Sequence, residues 1–221
     1  MTNEEKHQKR SFLYALIATL IVFNLGIYLG YMLEVSRVNK INSIYMSSEI
    51  GILDQIIQKD YAGVLNPTCE QLNEENLKFG DNLFEEALQI QSYEDASVMN
   101  KEIIFQHKRL DLLRTLFFIN SMQIKERCNS DYHIVTYLYK YNNPILEQSA
   151  KQKFFSNILK ELKNKFGKEV ILIPIAADND IPSVNLLVKT YNITQLPSIL
   201  IDDKVVLTEV GSLEELENYL N

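Results

Sequence analysis

Residues 191–201 read Tyr-Asn-Ile-Thr-Gln-Leu-Pro-Ser-Ile-Leu-Ile, and this stretch decides how the C-terminal part of the chain folds. Its last four residues, from Ser198 to Ile201, predict a strand because apolar and β-branched side chains suit a pleated, buried surface. Asp202-Asp203 then turns the chain into a second strand over 205–209, and Ser212 caps a closing helix. Glu214 and Glu215 fall in that helix's first turn, where carboxylates complement the helix dipole. Upstream, residues 181–191 predict a helix opening with Pro182, a position that tolerates proline. Residues 170–176, Val-Ile-Leu-Ile-Pro-Ile-Ala, predict a strand buried on both faces. Asn142-Asn143-Pro144 leads into a helix that reaches Phe166 and is ended by Gly167. Residues 133–139, His-Ile-Val-Thr-Tyr-Leu-Tyr, predict the first strand. The expected order from residue 131 onward is β-α-β-α-β-β-α.

That order resembles the thioredoxin family over residues 132–221. The resemblance is carried by residues 191–198, the Ile199-Leu200-Ile201-Asp202 strand, the hairpin, and Val210-Gly211 before the last helix. It implies that Pro197 is a cis-proline beside the family's active site. It also implies that residues 135–142 run from the family's buried acid to its first cysteine. A groove between the active-site loop and the cis-proline loop would bind an extended peptide through backbone hydrogen bonds. Asn142, Asn143, Pro144, Leu196 and Pro197 would line it, with Tyr139 and Tyr141 alongside. The plainer reading is that these residues only maintain an inherited fold.

The chemistry departs from the family at three points. Asn142-Asn143-Pro144-Ile145 stands where a C-x-x-C motif would use the helix N-terminus to lower a thiol pKa. Thr136 occupies the buried acid position, and no cysteine follows Cys128. The domain is therefore expected to be redox-inactive, with no catalytic residue, cofactor or metal.

At the other end of the chain, a run opening at Ser11 and closing at Leu33 contains no Asp, Glu, Lys or Arg. As a helix it would span roughly 34 Å, enough to cross a bilayer core of about 30 Å. A core helix is seldom apolar on every face for so long. A signal peptide has a shorter apolar segment and a small-residue cleavage site. The reading is a single-pass membrane anchor, with residues 1–10 as a cytoplasmic tail. Lys6, Lys9 and Arg10 before the span, against Arg37 and Lys40 after it, favour that orientation and place the bulk outside the cytoplasm. Gly26 and Gly30 form a G-x-x-x-G pair through which two such helices could form a homodimer.

Between the anchor and the β-rich domain, residues 34–130 read as a helical stalk. Val38, Ile41, Tyr45, Ile52 and Ile56 continue the first helix out of the membrane, and Gly63 with Asn66-Pro67 ends it. Thr68 and Gln71 form a capping box that starts a second helix. That helix carries Leu72, Phe79, Leu83, Ala87 and Ile90 on one face. A turn over 92–100 leads to a third helix carrying Ile103, Leu110, Leu113, Phe117 and Ile124. These two helices should form an antiparallel hairpin, with Cys69 and Cys128 at the same end and within reach of a disulfide. Two unpaired thiols are the alternative. His107 reads as a helix-surface or interface residue, and Asn192-Ile193-Thr194 as a helix terminus more than a glycan acceptor.

The whole chain of 221 residues has a net charge of −7, two cysteines, three histidines and no tryptophan. The acidic balance argues against nucleic-acid binding, and so few cysteines and histidines against a self-contained zinc site. The ten residues before the anchor carry a charge of +1, leaving −8 beyond them. The composite expectation is an α+β or α/β protein: an N-terminal transmembrane helix, a helical hairpin, and a thioredoxin-like domain that binds an unidentified protein or peptide. Two rivals are a membrane-anchored thiol–disulfide oxidoreductase using Cys69 and Cys128, and a purely structural helical membrane protein.

Overall fold

The computed structural model describes residues 3–94 and 101–220. The expected turn over 92–100 falls mostly outside the described residues. So do the side chains of Lys6, Lys9, Arg10, Arg37 and Lys40, and those of Val38, Ile41, Tyr45, Ile52, Ile90 and Ile103. The chain divides into two compact units, Met1–Ser48 and Glu49–Asn221.

The first unit is a single helical stretch, the beginning of α1 (Asn3–Leu65). Within it, Phe12–Ser36 has a mean hydropathy of 2.1 over its most apolar window and buries none of its side chains. It is one helix long and apolar enough to cross a membrane. Two polar side chains within it, Thr19 and Asn24, are turned back on the helix. Thr19 Oγ1 donates to the Ala15 carbonyl at 2.8 Å, and Asn24 Nδ2 to that of Leu20 at 2.7 Å. Polar groups satisfied in this way suit a hydrocarbon environment, where an unpaired donor is costly. The helix continues without a break through Gly63 and ends at Leu65, directly before the expected Asn66-Pro67 stop. An isolated glycine weakens a helix by only about 1 kcal/mol. The break comes instead where Asn66 adopts φ 45° before Pro67.

In the second unit, α2 (Cys69–Glu94) opens with the expected capping box. The Gln71 amide donates to Thr68 Oγ1 at 3.3 Å and the Thr68 amide to Gln71 Oε1 at 3.0 Å. Helix α3 (Lys101–Cys128) returns antiparallel to it, pairing Cys69 with Cys128, Asn76 with Ser121, and Phe79 with Phe117. The two cysteines form a disulfide with a Cα separation of 5.4 Å. The hairpin does not stand apart as a stalk, because α3 packs against the sheet and belongs to the same compact unit.

The remaining elements follow the expected order: β1 (His133–Tyr139), α4 (Leu146–Phe166), β2 (Val170–Ala176), α5 (Pro182–Thr190), β3 (Ser198–Ile201), β4 (Val205–Leu207) and α6 (Leu213–Glu217). The sheet order is β2-β1-β3-β4, with β1 parallel to β2 and antiparallel to β3, and β3 antiparallel to β4. Alternation along β1 divides the core into two layers. Val135 and Tyr137 join Phe155, Leu159 and Leu162 of α4, Ile199 and Ile201 of β3, and Leu216 of α6. Ile134, Thr136 and Leu138 point the other way, toward the face covered by α3, which also packs on α5. Strand β4 stops two residues short of the expected Glu209. The register that pairs Ile199 with Leu207 would place Glu209 opposite Pro197, which has no amide proton to give.

Candidate functional site

The loops leaving β1, leaving β2 and entering β3 meet at one end of the sheet. Leu138 pairs with Ser198, so the chain after β1 emerges beside the segment that ends in Pro197. The Leu196–Pro197 peptide is cis. Gln148, in the first turn of α4, donates from Nε2 to the Leu196 carbonyl at 3.0 Å, tying the α4 start to this segment. Pro197 is buried and Leu196 half-buried. Asn143 is exposed with φ 47°, and Pro144 is half-buried behind it. Ile145 and Leu146 follow at 64% and 88% exposure, an apolar rim on the opening of α4.

Asn142 faces inward. Its amide and that of Tyr141 both donate to the Asp178 carboxylate, at 2.8 and 2.7 Å. Its side-chain Nδ2 donates to Asn179 Oδ1 at 3.0 Å and to the Asp178 carbonyl at 3.2 Å. Asn179 is itself buried and donates to Asp111 Oδ2 at 2.7 Å, while the Ala176 amide donates to Asp111 Oδ1 at 3.0 Å. Asp111 lies on α3, so an unbroken chain of hydrogen bonds joins the loop after β1 to the helix behind the sheet. Burial pushes the Asp111 carboxyl upward, opposed by His107, Arg114 and these two hydrogen bonds.

His107 and Arg114 complete the cluster. His107 Nε2 lies 2.9 Å from the Tyr139 hydroxyl and 3.7 Å from Asp111, and its ring stacks on Tyr141 with centroids 3.7 Å apart. Arg114 approaches Asp111 at 3.6 Å. Tyr139 also stacks on Tyr137 at 5.5 Å. His107 is thus a buried interface residue, not one on the outer surface of α3, because two tyrosines from the β1 exit close over it. A histidine beside an aspartate invites a catalytic reading. This one is enclosed, at 5% exposure, with its ring against Tyr139 and Tyr141.

Of the residues expected here, Asn142 and the two tyrosines are brought together by their inward contacts, while Leu196 and Pro197 meet them through the strand register. Cys69 and Cys128 are brought to each other. Thr136 is fully buried, and its Oγ1 has no hydrogen-bond partner among the described residues. Among the described residues, no group of three or more histidines, cysteines or acids is placed to hold a metal. Asp111, Arg114, Asp178 and Asn179 escaped the reading of the sequence. The available signal was His107, Asp111 and Arg114 at i, i+4 and i+7, a polar row on a helix whose neighbouring Leu110 and Phe117 face the core. No family model matches the chain, and no curated protein matches it.

Proposed function

We propose that this chain is a single-pass membrane protein that holds a redox-inactive, thioredoxin-like domain outside the cytoplasm to bind an extended segment of a partner protein. The observation that carries this reading is the meeting of the 142–146 and 196–197 segments at the ends of β1 and β3, with Asn142 where a thiol would be needed. Asn142 commits its side chain to Asp178 and Asn179, and an amide performs no thiol exchange. What stays accessible is an apolar rim, Ile145 and Leu146, beside the half-buried Leu196. Such a rim favours binding an apolar side chain while the neighbouring backbone aligns the peptide. The apolar Phe12–Ser36 segment supports the anchor, and a disulfide between Cys69 and Cys128 supports an oxidising compartment.

Site-specific photocrosslinking from Ile145 and from Leu196 in native membranes, followed by mass spectrometry of the captured segments, tests the reading. The expected result is a common extended segment captured from both positions and lost in Leu146→Asp. Empty crosslinks at both positions overturn it. Capture abolished by Cys69→Ser together with measurable disulfide reduction would favour an oxidoreductase instead.

A further inference from the structure

We infer that the apolar part of α1 forms a parallel homodimer along the face that carries Asn24, with the carboxamide of each copy hydrogen-bonded to that of the other. Asn24 is the one carboxamide in Phe12–Ser36 and the central residue of that segment. At 1.5 Å per residue it lies roughly 18 Å along the helix from either end, the midplane of a bilayer that the segment crosses. Its Nδ2 donates to the Leu20 carbonyl at 2.7 Å, which employs one of its two amide protons. The second proton and Oδ1 have no partner among the described residues. Water satisfies such groups at a protein surface, but the middle of a bilayer offers none.

The residues around Asn24 form a seam. Leu13, Ile17, Leu20, Asn24, Ile27 and Tyr31 are separated by alternating steps of four and three, the repeat of a left-handed helix pair. The five apolar and aromatic members are 45% to 69% exposed, and the segment buries none of its side chains. Ile17 shares the heptad position of Asn24, and Leu13 and Leu20 take the other seam position. A β-branched residue at the first with leucine at the second favours two parallel strands, and a single asparagine at the first fixes their register.

Charge complementarity selects a second copy as the occupant. A carboxamide has a positive N–H edge and a negative oxygen edge, so two of them related by a twofold axis complement each other. Copies inserted in the same direction hold Asn24 at one depth, because the same apolar segment sets that depth in both. A foreign helix would need its own polar group at that single level. Between helices in lipid there is no hydrophobic drive, so packing and such hydrogen bonds decide the association. Gly26 and Gly30 lie roughly 160° and 120° around the axis from Asn24, on a different face. This inference rests on the anchor reading of the proposed function.

Cysteine scanning of the full-length chain in native membranes tests the seam. Both native cysteines are engaged in the disulfide, so an introduced cysteine is the only free thiol. Differently tagged copies carrying Leu20→Cys or Ile27→Cys should crosslink as mixed dimers on oxidation, and copies carrying Phe23→Cys or Leu33→Cys should not. Adding Asn24→Leu to Leu20→Cys should lower the dimer-to-monomer ratio on the order of tenfold. Asn24→Gln in its place, which keeps the amide, should retain most of the dimer. Crosslinks at positions 23 and 33 in place of 20 and 27 would overturn the inference in favour of the glycine face. A ratio unchanged by Asn24→Leu would overturn it too, as would crosslinks only to another protein, or none. Carbonate extraction of the same membranes before oxidation reports on the anchor separately. A chain released by carbonate refutes the anchor, and the dimer with it, whereas a chain retained without dimers refutes the dimer alone.

Discussion

Asp202 fastens the β3–β4 turn to the far end of the sheet. Its Oδ1 accepts from Lys125 Nζ at 2.7 Å and from the Ile134 amide at 2.8 Å, and His133 Nδ1 lies 2.6 Å from Oδ2. Burial by itself would raise this carboxyl, but Lys125, the Ile134 amide and His133 outweigh it and hold the carboxyl below its ordinary value of 3.8. The unfolded chain therefore takes up a proton at Asp202 at a higher pH than the folded chain does. The stabilisation is fully present above the ordinary value and disappears as pH falls through the lower folded one. Urea unfolding of the full chain in detergent should show Asp202→Asn destabilised at pH 7, with the gap to the unaltered protein closing below about pH 4. A gap independent of pH would show that the charge is not what matters. At this scale the sequence was partly legible. Asp202-Asp203 announced the turn, and both residues do take the left-handed conformation, φ 46° and 54°. Its bonds to Lys125 and His133 were not legible, because they join residues 77 and 69 positions apart.

Gly80 of α2 sits directly against the Phe117 ring of α3. A Cβ built there would lie 2.6 Å from Cζ of Phe117, a ring that is almost wholly buried and also meets Phe79 at 5.4 Å. In an open helix, alanine in place of glycine gains about 1 kcal/mol. Here the overlap dominates, and Gly80→Ala should destabilise by about 1–3 kcal/mol in urea unfolding. Phe117→Leu in the same chain should recover part of that loss, giving a favourable coupling in a double-mutant cycle. Strictly additive losses would mean that the ring does not set the spacing. The elements themselves were legible because their signals are local: the capping box at Thr68, the proline opening α5, the β-branched run of β1. Where an expected end moved, the cause was not local. Strand β4 stops because its partner strand begins after a proline, a fact of pairing register.

Across the whole molecule, the Cys69–Cys128 bond closes a loop with a sequence separation of 59. In the chain-entropy account such closure contributes about 4 kcal/mol by restricting the unfolded chain. Cys69→Ser should lower the urea midpoint accordingly, and reductant should bring the unaltered protein down to the same midpoint while leaving the variant unchanged. An unaffected midpoint would mean that the Asn76–Ser121 and Phe79–Phe117 contacts hold the hairpin without the bond. The sequence by itself determined the apolar first helix, the antiparallel hairpin with both cysteines at one end, the order of strands and helices, and the lack of a dithiol after β1. Each follows from side-chain periodicity or from composition, which act over a few turns of chain. Only the tertiary structure decided that α3 forms a layer of the sheet domain, that Asn142 turns inward, and that His107, Asp111 and Asn179 link the loop to the helix behind it. Those outcomes depend on which polar groups lose water together, and burial is settled only when distant segments pack.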